Sequence, residues 1–117
     1  MLENGAAIDF DAAAGIEVDG KSSTIGIEYG RNPKAAAGYR AIREVFEHDE
    51  TTDAVLYLTA NDDILYLLAM ELLGMRKRIG FVLSDAFRRS LLETRTLTNS
   101  NNSDVVPLRD FLSGNQL

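Results

Sequence analysis

The chain has 117 residues, 45% of them hydrophobic and 26% charged, no cysteine, and a formal net charge of −6. That length supports one core, and the absence of cysteine excludes both a disulfide framework and a thiolate metal site. The acidic balance argues against a surface that tracks a polyanion throughout, and the longest apolar run, residues 64–70, is too short to span a bilayer. A single cytoplasmic domain over residues 1–117 is expected, without membrane attachment and with residues 1–5 and 94–103 as flexible segments.

The first periodic stretch covers residues 6–11, where Ile8 and Phe10 alternate with Asp9 and Asp11 at the period of a half-buried strand. Ala12-Ala13-Ala14-Gly15 then reads as a corner of small residues. Ile16 and Val18 alternate with Glu17 and Asp19, and Asp19-Gly20 is a dipeptide that supplies the positive φ of a tight hairpin turn. A return strand is predicted over Ser23–Tyr29, with Ile25, Ile27 and Tyr29 on one face and Gly26, Glu28 and Gly30 on the other. Glu28 therefore projects from a face cleared by two glycines. Such a clearing suits close approach of a ligand or a second backbone, and equally a bulge where side chains are unwanted.

Asn32-Pro33 opens a helix, since Asn caps free amides and Pro is tolerated in the first turn. Ala35, Tyr39, Ile42, Val45 and Phe46 form its apolar stripe, leaving Arg40, Arg43, Glu44 and Glu47 outward. The polar stretch that follows holds the sole histidine, His48, with no second His or Cys to complete a metal site. Ala54–Thr59 reads as a buried strand, and Asn61 caps a helix that runs from Ile64 to Leu73. That helix is apolar almost all round, so it is either deeply covered or part of a protein contact. Gly74 ends it, and Arg76-Lys77-Arg78 stand where positive charge suits a helix end.

Ile79–Leu83 repeats the buried-strand pattern, and Ser84-Asp85 opens a short helix through Glu93. Strands alternating with helices point to parallel pairing. Residues 94–103 read as a polar loop, and residues 104–108 as a last strand that Pro107 confines to an edge. Arg76, Lys77, Arg78, Arg88 and Arg89 make either a basic patch or ordinary solvated surface, depending on how the fold groups them.

A meander of antiparallel strands, a helix, then a parallel strand and helix, with acids on the meander, resembles the restriction-endonuclease-like core of the PD-(D/E)XK nuclease superfamily. Within it, GIEYGRNPKAAAGYRAIREVF followed by AVLYLTANDD is similar to the C-terminal domain of replication-relaxation proteins of plasmids and conjugative elements. The matching positions are Glu28, Lys34, Tyr39-Arg40 and Val55-Leu56-Tyr57-Leu58. The resemblance implies an α/β fold in which a three-stranded antiparallel meander is continued by parallel strands with helices packed on the sheet. It implies Asp11 and Glu28 as metal ligands and, together with Lys34, as the catalytic set. The metal would be Mg²⁺, which takes hard carboxylate oxygens and keeps waters, one of which can attack a phosphodiester. Gly30 stands two residues after Glu28, where the family carries its lysine, so Arg31 or Lys34 would have to substitute.

The function expected from this resemblance is a DNA-associated accessory module in plasmid or mobile-element processing, such as conjugation, with a weak or lost nuclease site. Arg31, Lys34, Arg40, Arg76, Lys77 and Arg78 would contact DNA. Two alternatives stand beside it: an active Mg²⁺-dependent DNA nuclease, and a protein-interaction or dimerisation domain that uses the 64–73 helix or the exposed edge strand to meet a protein partner or a second copy without touching nucleic acid. A flavodoxin-like arrangement of residues 54–108 is the alternative for the fold.

Overall fold

The computed structural model describes residues 12–18, 20–30, 36–102 and 104–113. Along the chain these form β1 (Ala12–Val18), β2 (Lys21–Gly30), α1 (Ala36–His48), β3 (Ala54–Thr59), α2 (Asp62–Glu71), β4 (Arg78–Leu83) and α3 (Ser84–Ser90). A 3₁₀ turn at Leu91–Glu93, β5 (Arg95–Thr98), β6 (Val105–Pro107) and α4 (Leu108–Ser113) complete them.

The six strands lie in one sheet in chain order. β2, β3 and β4 are parallel, whereas the β1–β2, β4–β5 and β5–β6 pairs are antiparallel. Because the parallel strands follow one another in one direction across the sheet, right-handed crossovers place α1 and α2 on the same face. There Tyr39 and Phe46 of α1, Ile64, Leu65, Leu68 and Ala69 of α2, and Leu72 just after it, pack on Val55, Tyr57, Ile79 and Phe81. The opposite face carries Ile25, Ala54, Leu56 and Val82, covered by Leu108, Phe111 and Leu112 of α4, with Phe87 of α3 alongside. The central strands are thus apolar on both sides, which is why β3 reads as a nearly continuous hydrophobic run. Gly80 makes room for this second layer: a Cβ there would stand 2.7 Å from Thr96 Cγ2 and 3.0 Å from the Phe111 ring.

Local signals account for most boundaries. Gly20 sits at φ 80° in the turn between β1 and β2, the left-handed backbone that a two-residue hairpin needs. Asn61 caps α2, its Oδ1 accepting from the Ile64 amide at 3.0 Å. Gly74, at φ 72°, closes the turn after α2 and donates its amide to the Asn99 carbonyl at 2.7 Å.

Three expectations are corrected. Residues 12–15 form no corner but the first half of β1, paired with Ile27, Gly26, Ile25 and Thr24. The expected polar loop at 94–103 contains β5, with Thr94, Thr96, Thr98 and Asn99 all buried. A helix through Glu93 after β4 gives way to the shorter α3 and the 3₁₀ turn. Pro107 does lie on an edge strand, β6, and α4 follows it at once. The expected strand at 6–11 and the helix start at Asn32-Pro33 lie outside the described residues, so the β1–β2 hairpin is the part of the meander that is described.

Candidate functional site

Glu28 sits near the carboxyl end of β2, opposite Tyr57 of β3. Strand alternation places it with Gly26 and Gly30 on the face that α1 and α2 cover, as its sequence spacing predicts. The clearing beside it is used by the protein itself. A Cβ at Gly30 would stand 2.8 Å from Tyr57 Cε1 and 3.6 Å from Leu68 Cδ1. Gly30 therefore admits the Tyr57 ring, which is buried against Phe81 with centroids 6.3 Å apart. Any side chain at position 30, the lysine of an active nuclease included, would have to displace an aromatic ring from the core.

Asp11, Arg31 and Lys34 lie outside the described residues, so Glu28 is the one member of the expected catalytic set that the structure places. Among the described residues no three His, Asp or Glu side chains come together to hold a metal ion. Arg40 is exposed in the second turn of α1, next to the buried Tyr39.

The basic triplet at 76–78 is spread over three environments by the start of β4. Arg76 turns back to the end of α1, donating its amide to Glu47 Oε1 at 3.1 Å and Nη2 to the Glu47 carbonyl at 2.6 Å. Lys77 goes inward: its side chain is 7% exposed, and its Nζ lies 2.8 Å from Oδ2 of Asp49, itself 1% exposed. The same ammonium donates to the Asp49 and Thr52 carbonyls at 3.1 and 2.6 Å. Arg78 crosses to the other face, where its guanidinium lies 5.0 Å from the Phe111 ring centroid and donates to the Phe111 carbonyl at 2.7 Å. Burial lowers the Arg78 guanidinium from its ordinary value, and the nearby Asp53 opposes that shift. Glu28 and Arg78 thus face opposite sides of the sheet, and Arg88 pairs with Asp85 on α3. Among the described residues, Lys77 and Arg78 do not join Glu28 on one surface.

What it does display is the outer side of α2. Ile64, Leu65, Leu68, Ala69 and Leu72 are buried against the sheet. The apolar residues between them, Tyr66, Leu67, Met70 and Leu73, face away, with Tyr66 60% and Met70 76% exposed. At 100° per residue Tyr66, Leu67 and Met70 share one side of the helix, and Leu73 follows in the turn beyond it. Asp62 and Asp63, both exposed, flank its N-terminal end. At its C-terminal end Arg43 reaches across from α1, donating Nη1 to the Glu71 and Leu73 carbonyls at 3.0 and 3.2 Å.

Sequence reasoning singled out this helix because it is apolar all round, but left open whether it is covered or in contact with a protein. The five-to-four division between its faces answers for one face only. The role of Arg43 was not legible beyond its outward position on α1, since nothing local ties it to a helix end 28 residues away.

A smaller recess of about 220 Å³ lies at the amino end of β4, lined by Met75, Arg78, Thr98, Asn99, Ser100, Asp104 and Phe111. Asn99 there is a structural bracket. Its Oδ1 accepts from the Ile79 amide at 2.9 Å, and its Nδ2 donates to the Leu72 and Lys77 carbonyls at 3.0 Å each.

The fold and these surfaces define an α/β domain with a six-stranded mixed sheet and helices on both faces. No protein-family model, curated protein or solved structure matches the chain.

Proposed function

We propose that this domain works through protein contact, with the outer face of α2 as its contact surface and no catalytic step of its own. One observation carries this reading: Tyr66, Leu67, Met70 and Leu73 face solvent together on a helix whose other side already builds the core. Exposed apolar side chains scattered singly are ordinary, but three on one helical face with a fourth in the turn that follows are the grouping that marks an interaction site. Tyr and Met are also the types enriched in interface centres. The filled clearing beside Glu28 supports the non-catalytic half of the reading, because Tyr57 occupies the space of the missing lysine.

The experiment is quantitative capture from a cell lysate with two purified baits, the wild-type domain and a Tyr66→Glu/Met70→Glu variant. Partners held by the wild type should be lost from the variant, whose substituted positions are solvent-exposed and outside the core. Equal capture by both baits contradicts the reading.

A second reading is favoured by the course of the chain: a hairpin whose second strand bears Glu28, then a helix with exposed Arg40, then a parallel strand. In this reading the domain has a restriction-endonuclease-like core completed by a meander strand over residues 6–11. It would serve as a cytoplasmic, DNA-associated module of plasmid or mobile-element processing. Asp11 and Glu28 would hold Mg²⁺, and Arg31, Lys34 and Arg40 would meet DNA. Its test is an amide NMR titration with Mg²⁺ or Mn²⁺ and short DNA. Shifts focused on Asp11 and Glu28, with salt-sensitive DNA binding, would support it, and cleavage would raise the active-nuclease alternative above it. A silent titration removes both.

A further inference from the structure

We infer that the recess at the amino end of β4 is a binding site for a small zwitterion of the α-amino-acid class, with Arg78 holding its carboxylate and Asp104 its ammonium. The site lies apart from α2, beside Phe111 of α4 on the opposite face of the sheet, and its case does not depend on the contact-surface reading.

The sequence puts an arginine where the buried strand β4 begins, and its side chain runs under α4. A guanidinium donates through a planar fork of N–H groups. Arg78 spends Nη1 on the Phe111 carbonyl at 2.7 Å and rests on the Phe111 ring, 5.0 Å from its centroid. Its Nε and Nη2 meet no acceptor among the described residues. The group is nevertheless partly withdrawn from water, and burial lowers its pKa. A charge so placed is costly until a polar or anionic group answers it. Packing on Phe111 also orients the guanidinium plane, which is the preparation that a bidentate grip on a carboxylate needs.

Asp104 lines the same recess from the loop between β5 and β6. Its Oδ2 accepts from the Ser100 hydroxyl at 3.4 Å, and its Oδ1 has no donor among the described residues. Arg78 and Asp104 thus line one cavity without forming an ion pair with each other. Opposite charges that share a recess and do not neutralise one another favour a molecule that carries both. A dianion such as phosphate would sit against Asp104, and Asp53, which acts on Arg78 through space, repels it further. A plain cation would sit against Arg78.

The remaining wall is apolar, formed by the buried Met75 and Phe111, where a small side chain of the ligand would pack. At about 220 Å³ the recess is smaller than the roughly 300–1,000 Å³ of pockets that take drug-sized molecules. It suits a single amino acid better than a peptide or a nucleotide. The frame is held in place beforehand. Asn99 pins the loop to β4 through the Ile79 amide and the Lys77 carbonyl, and the Thr98 amide donates to the Asp104 carbonyl at 2.8 Å. Little ordering is left for the ligand to impose.

The test is a set of ¹⁵N amide spectra of the intact chain, titrated with glycine, L-alanine, L-valine and L-leucine. At least one should give saturable shifts centred on Ser100, Asp104 and Phe111, with a dissociation constant on the order of millimolar or tighter. Blocking either charge of that amino acid, as its N-acetyl or its carboxamide form, should weaken binding at least about tenfold. Inorganic phosphate is the probe for a simple anion site and should bind more weakly than the amino acid. Arg78→Lys keeps the charge but loses the fork, and should also weaken binding at least about tenfold. Asp104→Asn keeps an acceptor for Ser100 at a half-buried position, so it tests the site even where Arg78→Lys fails to fold. In Asp104→Asn the free amino acid and its N-acetyl form should bind alike. The inference is overturned if none of these amino acids gives saturable shifts at the recess. It is equally overturned if phosphate or a blocked form binds the wild type as tightly as the free amino acid, or if Asp104→Asn leaves the preference for the free ammonium intact.

Discussion

Lys77 is the residue whose chemistry departs furthest from what its neighbours imply. It sits between two arginines in a run that reads as solvated or nucleic-acid-facing, yet at the entry to β4 its side chain runs into the interior against Asp49. Burial alone raises the Asp49 carboxyl, but hydrogen bonds from Lys77, Thr51 and Thr52 outweigh it and hold the group well below its ordinary value near 3.8. The folded-state value is thus the lower one. Asp49 then contributes stability above the unfolded-state value and loses it as the pH falls below about 4. Lys77→Met strands a buried carboxylate and should cost about 3–5 kcal/mol at pH 7, measured by urea denaturation. The gap to the wild type should narrow as the pH is lowered, because the stranded carboxyl, raised by its burial, takes up a proton while the wild-type pair loses its contribution below about 4. A pH-independent gap, or none, would mean that the pair does not hold the loop to β4. This network was illegible in the sequence because Asp49 and Lys77 lie 28 residues apart with nothing local to join them.

At the scale of elements, α2 shows how far a pattern can be read. Its existence, its Asn61 cap and its glycine stop were all legible, because capping and termination depend on residues within one turn of the helix. The division between its faces was not, since apolar residues on every side give no contrast for a moment to register. β1 failed for a related reason: Ala12-Ala13-Ala14-Gly15 has no alternation of size or polarity, and only its pairing to β2 identifies it as a strand. β5 failed because the buried threonines in it and just before it look like loop residues, although Thr94 and Thr96 satisfy their hydroxyls on the Leu91 and Thr94 carbonyls nearby. Arg43 ties two elements together. Arg43→Ala should cost about 1–3 kcal/mol through two lost charge-assisted bonds to the end of α2. Amide exchange should speed up in the last turn of α2 and leave β3 unaffected, and unchanged protection there would mean that Arg43 does not cap that end.

The whole molecule was readable where strands are buried on both sides, so β3 and β4 and the helices between parallel strands follow directly from the chain. Its surfaces were less readable, because which charges meet solvent is decided by pairings between distant segments. The 76–78 cluster dissolves into internal contacts, Glu28 stands beside a clearing already filled, and the exposed apolar side of α2 remains as the feature the core does not use. The chain has three methionines, and two of them, the exposed Met70 and the buried Met75, form a matched probe and control. The most direct measurement is the ¹³C-methyl methionine spectrum of the labelled domain with a soluble paramagnetic agent, recorded on the purified domain and again in unlabelled cell lysate. In the purified domain the Met70 methyl should broaden while Met75 does not, and Met70 should become protected in the lysate as a partner covers the face. A Met70 methyl that stays as accessible in the lysate as in the purified domain would contradict a contact surface on this face.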